Sequence, residues 1–228
     1  MNPRRTPSHN LIGRDVTAHV PTVEQVVGTA PMPAIHEGIW RLAAPHLHVR
    51  SNDVHTLYSY ELARGLVDLV PGTDPEVVLP AILLHDTGWS RVPEDEVLEA
   101  IAPGGGRPDL VRRHEVEGAA IAREILVRSG CSSDVVDRVV GIVDGHDSRA
   151  HATSIDDAVV KDADKLWRLT PHGVDTVMDW FGLTREEAHL LIGSRVHPHL
   201  LTDAGRTMAR GLAAVVRTDT SSQLRALG

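Results

Sequence analysis

The residues best suited to chemistry are His85 and Asp86, side by side in Leu83-Leu84-His85-Asp86-Thr87-Gly88-Trp89, at the end of the apolar run Val77-Val78-Leu79-Pro80-Ala81-Ile82. An imidazole and a carboxylate at the edge of an apolar interior are costly to desolvate unless something binds them. Neighbouring helical residues point about 100° apart. The two therefore cannot stack as an ion pair, but both can reach a cation beside the helix end. Imidazole with carboxylate suits iron, manganese, zinc or a similar ion. Four more positions have the type and setting of ligands. His55 lies one turn into a helix between the apolar Val54 and Leu57, which predicts half-burial; a histidine satisfied by a core hydrogen bond is the alternative. His114 stands early in Arg112-Arg113-His114-Glu115-Val116-Glu117-Gly118-Ala119-Ala120, where glycine and alanine admit a close neighbour. His146 closes a helix in Val143-Asp144-Gly145-His146-Asp147, where the helix dipole alone also accounts for a histidine. In Lys161-Asp162-Ala163-Asp164-Lys165 the two aspartates are about 200° apart. They cannot share one solvated face, so at least one points inward at a cation.

The elements that must hold these groups are helical. Residues 1–33, with five prolines, read as an irregular arm. Apolar periodicity predicts helices near 34–44, 53–70, 74–86, 94–101, 109–129, 132–146, 154–169, 171–181, 184–197 and 202–217. In the second of these, Val54, Leu57, Tyr58, Leu62, Leu66 and Leu69 form the apolar repeat. Ser154-Ile155-Asp156-Asp157 resembles a capping box with Asp for Glu, and Thr184-Arg185-Glu186-Glu187 is a full one. Residues 103–106 form the most flexible stretch, and 218–228 a flexible tail. No alternating segment is long enough for a sheet, so the fold class is all-α, with one core over 34–217 and the metal site within 50–170.

Composition limits the partners. Twenty-three basic against 31 acidic residues give a net charge of −8. With only 3% aromatics, the chain offers neither a basic stripe nor stacking platforms for a nucleic-acid polymer. The one cysteine, Cys131, excludes an internal disulfide and a thiolate cluster and fits a reducing compartment. With no leader-like segment and no long apolar run, the expectation is a cytoplasmic protein without a membrane partner, possible as a homodimer. Of the 14 histidines, His9, His19, His36, His46, His48, His151, His172, His189, His197 and His199 fall in loops, at helix ends or on polar faces and are read as non-ligands.

Taken in order, His55, His85-Asp86, His114, His146 and Asp164 resemble the HD-domain superfamily of metal-dependent phosphohydrolases, over about residues 50–170. The doublet followed by Thr87-Gly88 is similar to the family signature. Residues 162–166 are similar to its closing motif, whose ligand is the aspartate before the lysine: Asp164, with Asp162 as fallback. The resemblance implies an HD-domain-like bundle of about eight to ten helices and a minimal site of His55, His85, Asp86 and Asp164. Members with two further histidines hold two metals. On that likeness Asp86 bridges two divalent ions (iron, manganese or similar), with His114 and His146 on the second. The subgroup includes dinucleoside-polyphosphate hydrolases, cyclic-dinucleotide phosphodiesterases and oxygenases such as inositol oxygenase. This chain lacks the Gly-Tyr-Pro extension of the second and has Lys165-Leu166-Trp167 where the first has Glu-Pro, which leaves the substrate open.

The expected activity is hydrolysis of a nucleotide or other small phosphoester by a metal-activated water. Asp86 and Lys165 take catalytic roles, and Lys165, Arg50 and Arg113 substrate-binding ones; Arg112 is a further phosphate candidate. A di-iron oxygenase on the same ligands is the alternative, and a non-catalytic binding module a third reading.

Overall fold

The computed structural model describes residues 12–26, 28, 30–104 and 106–227. Residues 1–11, with His9, lie outside the described residues, as do Gly105 of the glycine run and Gly228. Two units are distinguished, Met1–Pro33 and Ala34–Gly228. In the first, single 3₁₀ turns form at Thr17–His19 and Val23–Gln25, and the Gln25 side chain accepts the Thr22 N–H at 2.9 Å.

In the second unit every described element is helical: α1 (Ala34–Ala43), α2 (Asn52–Leu69), α3 (Pro75–Leu84), α4 (Glu94–Ile101), α5 (Pro108–Arg128), α6 (Ser133–Val143), α7 (Ile155–Trp167), α8 (Pro171–Phe181), α9 (Arg185–Val196), α10 (Asp203–Asp219) and the single turn α11 (Ser222–Arg225). No strand occurs among the described residues, and the protein is all-α. The starts follow from capping chemistry. The side chains of Asp74, Ser132, Thr170, Thr184 and Thr202 each accept a backbone N–H of the first turn, with Pro75 and Pro171 next in line. Glu187 returns the bond at Thr184 and completes that box. At α7 the box is half formed. Ser154 accepts the Asp157 N–H, but the Asp157 carboxylate accepts from Thr153 and Arg149 instead of from Ser154. At the C-terminus the expected tail holds further order, since α10 runs to Asp219 and Ser221 caps α11.

Helix α3 is apolar on all sides and lies at the centre. Val77 through Leu84 are all buried, and α1, α2, α5, α6 and α7 pack around it. Helix α2 turns a different face inward from the one its apolar repeat predicts. Val54, Leu57, Tyr58 and Leu69 are exposed, while Asn52, His55, Thr56, Ser59, Tyr60, Ala63 and Leu66 are buried. The buried side carries small and polar groups because it faces α3 and α7, where the histidines and aspartates gather. His36 also departs from expectation: it is buried, with Nδ1 2.8 Å from the Tyr60 hydroxyl.

Two junctions position the chemistry. After α3 the chain passes through His85 and Asp86 into the 3₁₀ turn Thr87–Arg91, which lies directly on α5. A Cβ on Gly88 would stand 1.8 Å from the His114 carbonyl oxygen and 2.5 Å from the Gly118 nitrogen. Glycine there lets the turn seat Asp86 beside His114. After α6 the helix stops three residues before His146, so that histidine sits in a turn and not at the end of the helix as expected. Gly145, at φ +113°, breaks the helical path. The turn is held from below by Lys161. Its buried ammonium donates to the carbonyls of Gly145, His146 and Arg149 at 3.0, 2.5 and 3.1 Å.

Candidate metal centre

Five helix ends or faces bring four imidazoles and two aspartates together. From α2, His55 Nε2 lies 3.1 Å from His85 Nε2 and 3.3 Å from Asp164 Oδ1 of α7. His85 Nε2 is 3.7 Å from the same Asp164 oxygen, and both imidazoles are 3.5 Å from Asp86 Oδ2. On the other side of Asp86, His146 Nε2 is 3.6 Å from Oδ1, His114 Nε2 is 3.9 Å from it, and the two nitrogens are 3.4 Å apart. Asp86 thus offers one oxygen to each pair of histidines. All six residues are buried.

The donors are oriented as well as gathered. His85 Nδ1 donates to the Ile82 carbonyl at 2.8 Å and His146 Nδ1 to the Val143 carbonyl at 2.9 Å, which leaves each Nε2 lone pair facing the cluster. The Trp89 indole donates to Asp86 Oδ1 at 3.1 Å, and its ring stacks on His114 with centroids 3.9 Å apart. Trp167 meets His55 edge-on at 4.5 Å. These are the outer contacts that fix ligand orientation in metal sites.

The residues present fit metal ions. Ligands about 2.1 Å from one ion stand about 3.0–3.4 Å apart in octahedral or tetrahedral geometry. The first group, at 3.1–3.7 Å, is close to that spacing, and the second, at 3.4–3.9 Å, is slightly wider. Electrostatics agree. Burial should raise the carboxyl pKa of Asp86, yet the surrounding histidines, His85 foremost, hold it well below the usual range. Asp164 is likewise held well below, against burial, by Arg168, His55 and His85. Burial opposes a proton on His146, but Asp147 and Asp86 outweigh it and push its pKa up to about 9. Asp86 and Asp164 similarly outweigh burial at His85 and raise its pKa. Burial lowers His55, and burial with the neighbouring His146 takes His114 down to about 4. The carboxylates therefore create a field that seeks positive charge, which a metal ion would satisfy in place of protons on the imidazoles.

A family model described as HD domain matches residues 52–169, just over half of the chain. The chain belongs to the HD domain family. Members are generally metal-dependent hydrolases, and the matched segment runs from α2 through α7, so it contains all six clustered residues. No curated protein and no solved structure matches the chain.

Around this HD-domain cluster, the remaining candidates divide. Arg50 is at the site. Its guanidinium lies between the Trp89 and Trp180 rings, 5.2 and 5.1 Å from their centroids, and Nε and Nη1 are buried with no hydrogen-bond partner among the described residues. Burial lowers its pKa to about 10, against the pull of Asp86, so it stays charged at neutral pH. Arg50 and Ser51 adopt left-handed backbone at φ 52° and 61°, a strain of about 1–3 kcal/mol each that often accompanies functional positions. Lys165 donates to the Lys161 carbonyl at 3.3 Å and lines a cavity beside Asp164, not the space over the histidines. Arg113 is exposed and lines neither. Arg112 is committed elsewhere, to Glu115 at 3.0 Å and Asp144 at 2.5 Å. Asp162, the fallback ligand, accepts from the Leu201 and Thr202 N–H groups and the Thr202 hydroxyl, and so anchors the start of α10.

Three participants escape the sequence argument. Asp147 lies 3.5 Å from His114 Nε2 and 3.8 Å from His146 Nε2 and could join the second group. Its signal was present: His146-Asp147 repeats the His-Asp doublet. Buried Glu115 accepts the N–H groups of Asp147 and Ser148 at 2.9 and 2.7 Å and holds that turn. Arg168 pairs with Asp164 at 3.6 Å, one turn along α7. Over the histidines lies a space of about 20 Å³, lined among others by Arg50, Asp86, Asp147 and Arg168. That is about the room one water needs. A cavity of about 210 Å³ adjoins it and shares Asp147, Asp164, Arg168 and Trp180.

Proposed function

We propose that this HD-domain protein is a phosphohydrolase acting on a nucleotide or other small phosphoester, with a metal-activated water as nucleophile at a binuclear site. The observation that carries the reading is Asp86, whose two carboxylate oxygens face two separate histidine pairs. His55, His85, Asp86 and Asp164 would hold one ion, and Asp86, His114 and His146, with Asp147 in reach, the other. Divalent ions in such a site supply Lewis acidity toward a phosphoryl oxygen and a water of lowered pKa. The chain's own groups do the rest. Trp89 holds the Asp86 carboxylate with one oxygen toward each histidine pair, the orientation in which it would bridge two ions. Arg50, charged and short of acceptors, is placed to bind a phosphoryl oxygen over the histidines. Lys165 presents a point charge to the part of the substrate lying beside Asp164. The substrate is small, because an acidic chain with a local set of cations suits a compact anion better than a polymer.

The test uses protein purified without chelator, loaded in turn with manganese, iron and cobalt, and assayed for phosphate release from a panel of nucleotides and phosphoesters. Metal-dependent release that chelator abolishes is expected. Oxygen consumption by the iron-loaded protein without phosphate release would instead establish the oxygenase alternative.

A further inference from the structure

The 210 Å³ cavity has features the metal cluster does not require. Its inner end is shared with the cluster through Asp147, Asp164 and Arg168, so a molecule lying in it meets the candidate ligands at one end. Its outer wall comes from α8 and α9, which lie beyond the segment matched by the family model. That wall is apolar, with Val177, Phe181 and Ile192, and Phe181 is the chain's one phenylalanine. Two cations also line the cavity, Lys165 on α7 and Arg195 on α9. Arg168 is paired with Asp164, but among the described residues no carboxylate lies within 4.0 Å of the Lys165 or Arg195 charge. In a chain of net charge −8, two cations without a close carboxylate, facing the open part of a cavity whose two aspartates lie at its inner end, form a local anion-seeking site.

We propose that this cavity is the specificity pocket, and that it takes a small substrate with an apolar body and a second anionic group, held by Arg195 and Lys165 away from the reacting phosphoryl group. The proposal rests on the phosphohydrolase reading only for which end of the substrate reacts. Arginine offers a second carboxylate or phosphate a bidentate pair of donors, and lysine adds a point charge. The volume lies below the usual range for ligand pockets. A cavity of this size suits a short-chain organic phosphate better than a dinucleotide.

The test is calorimetric binding of non-hydrolysable phosphonates to the metal-loaded full chain. Alkylphosphonates of three to six carbons are compared with isosteres that end in a carboxylate or a second phosphonate. At the best chain length the doubly anionic probe should bind at least tenfold more tightly than its uncharged-tail counterpart. In Arg195→Gln, an exposed residue whose change threatens no packing, that ratio should fall by roughly threefold or more, with Lys165 keeping the remainder. No gain from a second anion at any length, or a gain undiminished in Arg195→Gln, overturns the pocket. Turnover of the matching phosphate esters is measured separately. Phosphate release without preference for the charged tail removes the pocket and keeps the hydrolase. A charged-tail preference without phosphate release keeps the pocket and removes the hydrolase.

Discussion

At Asp86 the Trp89 indole nitrogen and two pairs of imidazole nitrogens surround one carboxylate, and each pair faces its own oxygen. The indole contact holds the plane of the carboxylate, and outer contacts of this kind are worth about 10–100-fold in metal affinity. Trp89→Phe keeps the aromatic stack on His114 but removes the donor. It should weaken binding of divalent metal by about tenfold or more, read by titration calorimetry, while leaving the helical content unchanged in circular dichroism. Metal affinity equal to wild type would mean that Asp86 is oriented without the indole. At this scale much was legible from the sequence. Residue type and setting marked His55, His85, Asp86, His114, His146 and one of Asp162 and Asp164 as candidates, because metal chemistry restricts the donors to few residue types, and the resemblance to the HD-domain superfamily chose Asp164. Arg168 was not marked, since an arginine after a tryptophan looks alike whether it faces solvent or a site, and Asp147 was not marked although His146-Asp147 repeats the doublet.

Helices and junctions set how closely these residues approach. The contact of the 3₁₀ turn Thr87–Arg91 with α5 depends on Gly88, whose replacement by any larger residue drives a side chain into the His114 carbonyl. Gly88→Ala should destabilise the fold by about 3 kcal/mol, as overpacking of a tight contact does, and lower metal affinity with it. A urea midpoint and metal affinity both unchanged would show that turn and helix can separate at no cost. Element type and most helix starts were readable because caps and prolines act locally. Facing was less readable. On α2 the apolar repeat of Val54, Leu57, Tyr58 and Leu69 proved exposed and the polar side buried, because the cluster, not apolar area, sets that helix's orientation. His146 likewise sits beyond α6, since Gly145 turns the chain before the periodicity runs out.

For the molecule as a whole, one contribution to stability should rise with pH across neutrality, through a histidine remote in sequence from the cluster. Burial, aided by the Arg64 charge, lowers the pKa of His36 below its usual 6.5. The unfolded chain therefore binds that proton more readily than the folded one. The contribution of His36 is fully present above about 6.5 and is lost as pH falls through the unfolded and then the folded value. His85 and His146, whose pKa values are raised, act in the opposite sense, so the test is a difference: from pH 7 to 5.5 the urea midpoint of wild type should fall relative to that of His36→Gln. Identical pH slopes in the two proteins would place the sensitivity elsewhere. No helix among the described residues is long and apolar enough to cross a membrane. The family segment supplies the six clustered residues, while α8 and α9 beyond it shape the adjoining cavity. The sequence could not reveal that wall, because Phe181, Ile192 and Arg195 meet only after α8 and α9 fold back toward α7.

The most direct measurement is a metal count by native mass spectrometry on the full chain loaded with manganese or iron. Two ions per chain are expected in the wild type, one in His114→Ala, and none retained in Asp86→Ala. A single ion in the wild type, or two ions kept by Asp86→Ala, contradicts a binuclear centre bridged by Asp86.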